Sequence, residues 1–151
     1  MKIIRLIAII HFLCLSSLSY SKDLADKLLT GTQIEKYQNG NTKYEVHYVN
    51  GKKEGLETFW YNSGLKYIQT NYKNDKEDGV WNQWYENGQL KLEAHYKDGK
   101  EHGSFTQWYD NGAKRSEANF KDGKKEGYEI YWKKNGDVKS KTLYEDGKPI
   151  K

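Results

Sequence analysis

The sequence predicts an all-β fold: an elongated single-layer antiparallel meander of stacked β-hairpins built from five 24-residue repeats. Three observations predict it. First, all 14 glycines fall into three columns with a spacing of 24. These are Gly31, Gly55, Gly79, Gly103 and Gly127; then Gly40, Gly64, Gly88, Gly112 and Gly136; then Gly51, Gly99, Gly123 and Gly147, with Asp75 in the remaining place. Self-similarity at a fixed period marks a repeat architecture. Second, each copy carries two turn dipeptides, of the kinds Asn87-Gly88 and Asp98-Gly99. These tolerate the positive φ of hairpin turns, and flanking β-formers make them strong hairpin signals. Third, 15% of residues are aromatic although 30% are charged. A disordered chain would lack the aromatics, and an ordinary two-layer domain would carry more Leu, Ile and Val.

In chain order, residues 1–21 read as a signal peptide. Lys2 and Arg5 precede an apolar run over residues 6–15, and Ser19 and Ser21 offer small residues for cleavage. The run is shorter than the roughly 20 residues needed to span a bilayer. The lone cysteine, Cys14, follows His11, Phe12 and Leu13, a poor match to the small residues before a lipid-modified Cys. Cleavage after Ser21 would leave a thiol-free chain that disulfides cannot staple, located in the periplasm or outside the cell. Residues 22–30 form a linker or, over residues 23–29, a short helical turn. The repeat domain spans residues 31–151, divided as 31–54, 55–78, 79–102, 103–126 and 127–151. Two turns per copy leave two strands, for example residues 56–61 and 66–72, and about ten strands in all. Glycine density and the absence of a 3.6-residue period exclude helix from the repeats.

Register follows from the turns. If Asn87-Gly88 is a two-residue turn, Tyr85 faces Leu90 and Trp84 faces Lys91; by the same count Trp108 faces Arg115 and Trp132 faces Lys139. Facing residues share one side of a sheet, so one side carries Trp beside cations and the other collects Tyr85, Leu90, Leu92 and Ala94. Tyr96 falls opposite Gly79, and Phe120 opposite Gly103, where a ring can cover bare glycine backbone. The second turn is either equally tight or a wider loop that takes in residues 100–103.

Blocks such as Trp84-Tyr85-Glu86-Asn87-Gly88-Gln89-Leu90-Lys91, followed by Tyr96-Lys97-Asp98-Gly99-Lys100-Glu101-His102-Gly103, resemble the MORN-type repeat. More closely, they resemble its variant in bacterial YwqK-family antitoxin proteins. The resemblance covers about residues 31–148. It implies stacked hairpins and a non-catalytic role in binding proteins or, in some cases, membrane lipid. The first copy departs with Lys36 in place of Trp, and the last with Lys133 in place of Tyr; both read as caps.

No catalytic motif accompanies the repeat. His47 and His95 share a column in which Asn71 and Asn119 alternate with them, so they read as solvated strand positions rather than metal ligands. Glu45, Glu93 and Glu117 read as partners of nearby cations, because a catalytic carboxylate pair needs unlike environments. The sequence therefore predicts neither an enzyme nor a cofactor. The aromatic columns pack between hairpins or form an exposed strip. The strip comprises Trp60, Trp84, Trp108, Trp132, Tyr61, Tyr85 and Tyr109, with Lys91 and Arg115 beside it. Exposed aromatic area rimmed by polar groups suggests recognition. The expected function is an exported protein-interaction module, immunity-like or scaffold, acting as a monomer. The alternative is a carbohydrate-binding module that stacks wall glycan on the Trp ladder. The mild charge, +4 overall, argues against nucleic acid and offers little attraction to anionic lipid.

Overall fold

A computed structural model describes residues 29–150. The signal peptide and all of the proposed linker except Leu29 and Thr30 lie outside the described residues. Twelve strands follow one another along a single open antiparallel sheet. They are β1 (Gly31–Lys36), β2 (Thr42–Val49), β3 (Lys52–Trp60), β4 (Lys66–Lys73), β5 (Lys76–Trp84), β6 (Leu90–Lys97), β7 (Lys100–Trp108), β8 (Lys114–Lys121), β9 (Lys124–Lys125), β10 (Gly127–Trp132), β11 (Val138–Glu145) and β12 (Lys148–Ile150). Each copy is one hairpin paired only with its neighbours, as the sequence predicts. The strand count exceeds ten for two local reasons. Glu126 interrupts the fifth copy's first strand and splits it into β9 and β10, and Lys148–Ile150 adds a last short strand on β11.

The two turn types differ, and the difference corrects the expected register. In the first, the Tyr85 N–H donates to the Gln89 carbonyl and the Gly88 N–H to the Tyr85 carbonyl. The loop thus has three residues, with Gly88 at φ 83°, the type I turn plus glycine bulge common in hairpins. Asn87 does not take up positive φ. Its Oδ1 accepts from the Gln89 N–H at 3.0 Å, and its Nδ2 donates to the Asp110 carbonyl of the next copy at 3.0 Å. The extra loop residue places Trp84 opposite Leu90, Trp108 opposite Lys114 and Trp132 opposite Val138. Lys91, Arg115 and Lys139 are therefore not the facing residues. A bulge after Gln83 restores the count, so Gly79 does pair with Tyr96 and Gly103 with Phe120.

The second turn is tight: Asp98 and Gly99 are both left-handed, with φ 50° and 79°, and Lys97 pairs directly with Lys100. The surplus residues appear further along, where His95 alone lies opposite the stretch from His102 to Ser104. That bulge brings Glu101 opposite Tyr96 and Phe105 opposite Ala94.

Between copies, side chains reinforce the ladder. Tyr37, Tyr61, Tyr85 and Tyr109 donate their hydroxyls to the carbonyls of Trp60, Trp84, Trp108 and Trp132, at 2.6 to 2.8 Å. Each second turn also docks on the copy before it, as when Gly99 N–H donates to the Glu77 carbonyl. The fully buried apolar residues, Val46, Ala94 and Ala118, are small and lie mid-strand in β2, β6 and β8. Among the described residues no second layer covers the sheet, and its buried apolar core is a seam of small side chains.

Candidate interaction faces

Alternation along a strand sends Val80, Asn82 and Trp84 to one side of the sheet and Gly79, Trp81 and Gln83 to the other. The first side carries the tryptophan row. Trp60, Trp84, Trp108 and Trp132 end their strands and are all half-buried. Leu56, Val80 and Tyr128 lie on the same side, exposed at 52%, 37% and 52%. The ammonium of Lys66 stands 5.5 Å over the Trp84 ring and that of Lys114 5.9 Å over Trp132. These cations come from the hairpin preceding each ring. Lys91 and Arg115 instead cover Tyr85 and Tyr109, at 5.5 and 5.9 Å. The sequence-derived strip is thus assembled as a row of Trp beside a row of Tyr, with Lys91 and Arg115 on the Tyr row. The hydroxyls of Tyr61, Tyr85 and Tyr109 are occupied by the Trp carbonyls.

The opposite side holds a second row, which the search for constant columns missed. Two positions four residues apart, repeated every 24, face across the bulge: Lys53 and Glu57, Glu77 and Trp81, Glu101 and Phe105, Lys125 and Glu129. In the outer copies the two residues pair with each other. Lys53 Nζ lies 2.5 Å from Glu57 Oε1 and 4.7 Å above the Tyr72 ring, and Tyr44 donates its hydroxyl to the same carboxylate at 2.7 Å. Lys125 repeats the arrangement, 2.5 Å from Glu129 and 5.0 Å above the Tyr144 ring. Glu57 is buried, and these two donors compensate its carboxylate. In the two central copies a carboxylate replaces the lysine and an aromatic ring replaces the glutamate. The signal was legible as covariation between two columns: Lys goes with Glu, and Glu goes with an aromatic.

Electrostatics follow that arrangement. Burial first, then the charges of Glu57 and Glu101, push the Glu77 carboxyl above its ordinary range, with Lys53 opposing. Glu101 is likewise raised by burial, and Lys125 opposes. At the outer site, burial would raise Glu129, but its bonds to Lys125 and Tyr131 prevail and hold it below the usual range. Tyr72 is pushed up to about 12 by burial and by Glu57 and Glu77. A cavity of about 220 Å³ opens on this side between the fourth and fifth copies, lined by Glu101, Phe105, Phe120, Lys125, Glu129 and Tyr131 among others. Phe105 and Phe120 pack there at 5.7 Å between ring centroids.

Some of the titratable groups that the sequence singles out are engaged locally. His47 Nδ1 lies 3.2 Å from Thr32 Oγ1, and His95 Nδ1 lies 3.0 Å from Ser104 Oγ. Glu117 pairs with Lys114 of its own strand at 2.5 Å, and among the described residues no ion pair reaches Glu45 or Glu93. Among the described residues no cluster of three or more His, Cys, Asp or Glu could hold a metal ion.

The family model described as MORN repeat variant matches residues 29–50, 77–98 and 101–122. Those segments cover the hairpins β1–β2, β5–β6 and β7–β8 but for the first residues of β5 and β7. The match supports a MORN-type repeat protein; such repeats generally serve as non-catalytic modules for protein or membrane interaction. A comparison with curated proteins finds no match.

Proposed function

We propose that this chain is a non-catalytic protein-interaction module that grips its partner with a broad sheet face. The observation that carries this reading is the single-layer sheet with half-buried aromatic rows on both sides and, among the described residues, no second layer over either. Aromatics set among polar side chains are the composition of binding hot spots. Export through the segment at residues 1–21, and an immunity-like or scaffold role outside the cytoplasm, complete the proposal. The leader-like pattern and the likeness to bacterial YwqK-type repeats support those two points. Wall glycan is the second reading, and the four-Trp row favours it. The lysines over Trp84 and Trp132 weigh against it, because a stacked sugar would have to displace them.

A crosslinking pull-down from envelope extract tests the proposal. The protein should enrich one partner, and Trp84→Ala/Trp108→Ala should lose it if the tryptophan side binds. A folded variant that retains the partner moves the contact to the other side. Co-sedimentation with purified peptidoglycan, accompanied by a Trp fluorescence shift and without a protein partner, would replace the proposal with the glycan reading.

A further inference from the structure

The fold displays twice how a lysine side chain is held on the side opposite the tryptophan row. Lys53 and Lys125 each place an ammonium against a carboxylate and over a tyrosine ring, within 5.0 Å of the ring centroid. The two central copies keep a ring at the position that receives the ammonium, Tyr96 for Glu77 and Phe120 for Glu101, in the places of Tyr72 and Tyr144. They also keep an acidic group, but among the described residues no ion pair involves Glu77 or Glu101. Trp81 and Phe105 stand where the outer copies have their glutamates, adding π-faces that attract cations. We propose that this central patch seats lysine or arginine side chains of a basic protein segment, with Glu77 and Glu101 as ion-pair partners and Trp81, Tyr96, Phe105 and Phe120 as the aromatic walls. The proposal deepens the protein-binding reading and rests on it.

Charge complementarity selects this occupant. Burial disfavours both half-buried carboxylates, the charge of Glu101 adds to this at Glu77, and a cation delivered from outside offsets the cost by pairing with them. Size agrees as well. The adjoining cavity of about 220 Å³ is smaller than the roughly 300–1,000 Å³ of drug-sized sites and suits single side chains. Spacing adds a constraint. Glu77 and Glu101 are one copy apart, and two strand separations at about 4.8 Å each make about 10 Å. An extended or polyproline-like segment rising about 3.1–3.4 Å per residue covers that distance between residues i and i+3. The favoured ligand therefore carries two basic residues separated by two others.

The test uses the whole protein and a fluorescein-labelled octapeptide with two lysines three positions apart in a Gly/Ser background, read by anisotropy. Wild type should bind it, at least tenfold more tightly than the same peptide with both lysines acetylated, and binding should weaken between about 50 mM and about 500 mM salt. Glu77→Gln/Glu101→Gln should lower affinity at least tenfold. Glu77→Lys/Trp81→Glu, which copies the outer pattern, should fold as wild type by circular dichroism and also weaken binding. Ile34→Ala, exposed on the other side, should bind normally. Equal binding of the acetylated peptide, unchanged affinity in the Gln variant, or no wild-type binding at millimolar peptide overturns the assignment. An envelope partner retained by Glu77→Gln/Glu101→Gln but lost by Trp84→Ala/Trp108→Ala would sink this site while leaving the protein-binding reading intact.

Discussion

Tyr85→Phe isolates what joins one copy to the next. The change removes a single oxygen, whose proton goes to the Trp108 carbonyl at 2.8 Å in a part-buried setting. A net hydrogen bond contributes about 0.5–1.5 kcal/mol, and leaving a half-buried carbonyl without this donor raises the expected loss to about 1–2 kcal/mol. Four such bonds run along the array, at Tyr37, Tyr61, Tyr85 and Tyr109. Together they represent about 4–8 kcal/mol, comparable with the roughly 5–15 kcal/mol stability of a whole domain. In urea, with a slope of about 2 kcal/mol/M, Tyr85→Phe should lower the midpoint by about 0.5–1 M.

Position should matter as much as magnitude. Arrays unfold approximately as a line of units coupled to their neighbours. Weakening the junction between the third and fourth copies should separate the transitions seen by Trp fluorescence and far-ultraviolet circular dichroism. Tyr37→Phe touches only the first junction and should fray one end with a smaller midpoint shift. A shift below about 0.2 M for Tyr85→Phe, or equal shifts for the two variants, would refute the view that these hydroxyls couple the copies.

The other predictions concern single features of the same sheet. Gly88→Ala places a Cβ on backbone at φ 83° and should cost about 1–2 kcal/mol; Gly88→Asn should recover part of that loss, because Asn tolerates the left-handed region. Asn82 has a buried Oδ1 with no hydrogen-bond partner, in the column occupied by Thr58 and Thr106. Asn82→Thr should therefore stabilise the protein by about 1 kcal/mol, read as a higher urea midpoint. Lys125→Met removes the cation that holds Glu129 low; a depressed carboxyl lends stability above its unfolded pKa and loses it as pH falls through the folded value. Acid unfolding of Lys125→Met should thus begin at higher pH than in wild type.

Glu77→Gln/Glu101→Gln is expected to behave in the opposite sense. Carboxyls raised in the folded state bind more protons there than in the unfolded chain, so their ionisation lowers stability as pH rises through that window. The groups around them are Lys53 and Glu57 from β3, Tyr72 from β4, Tyr96 from β6 and Lys125 from β9. The double variant should be more stable than wild type near neutral pH, with the gap closing as pH falls through the raised carboxyl range. A variant less stable at neutral pH would contradict this.

How much the sequence discloses depends on which residues repeat without change. Glycine columns and turn dipeptides recur nearly unchanged because backbone geometry demands them, so fold class, hairpin order and the pairing of Gly79 with Tyr96 could be read directly. The Trp84–Lys91 pairing could not, because Asn-Gly is compatible with two loop lengths. In the longer loop Asn87 uses its oxygen and its amide in hydrogen bonds, one of them to the next copy. In the tight turn Asp98 is left-handed, and so are Asn50 and Asn74 at the same place in other copies, so the dipeptide alone does not set the loop length. The positions on the side opposite the tryptophan row were hidden for a different reason. Constancy betrays structure, whereas 53, 77, 101 and 125 differ between copies, and only their coupling to the positions four residues later carries meaning.

That coupling bears on which side of the sheet is selected for stability. Where Lys and Glu occur together, at the outer copies, each neutralises the other and a ring covers the ammonium. Replacing both in the two middle copies gives up an internal ion pair and leaves carboxylates whose burial opposes folding. The fold does not require that exchange, because the Lys–Glu arrangement already fits the same backbone twice. Trp81 and Phe105 add apolar area at those points, yet both remain half-buried. Carboxylate burial thus opposes folding in two adjacent copies and is compensated in their flanks, the distribution expected where a surface meets something other than its own chain. Measuring stability and basic-peptide affinity on the same set of variants distinguishes the two roles: Glu77→Gln/Glu101→Gln should gain the first and lose the second, a reciprocal response that a purely structural pair of carboxylates would not give.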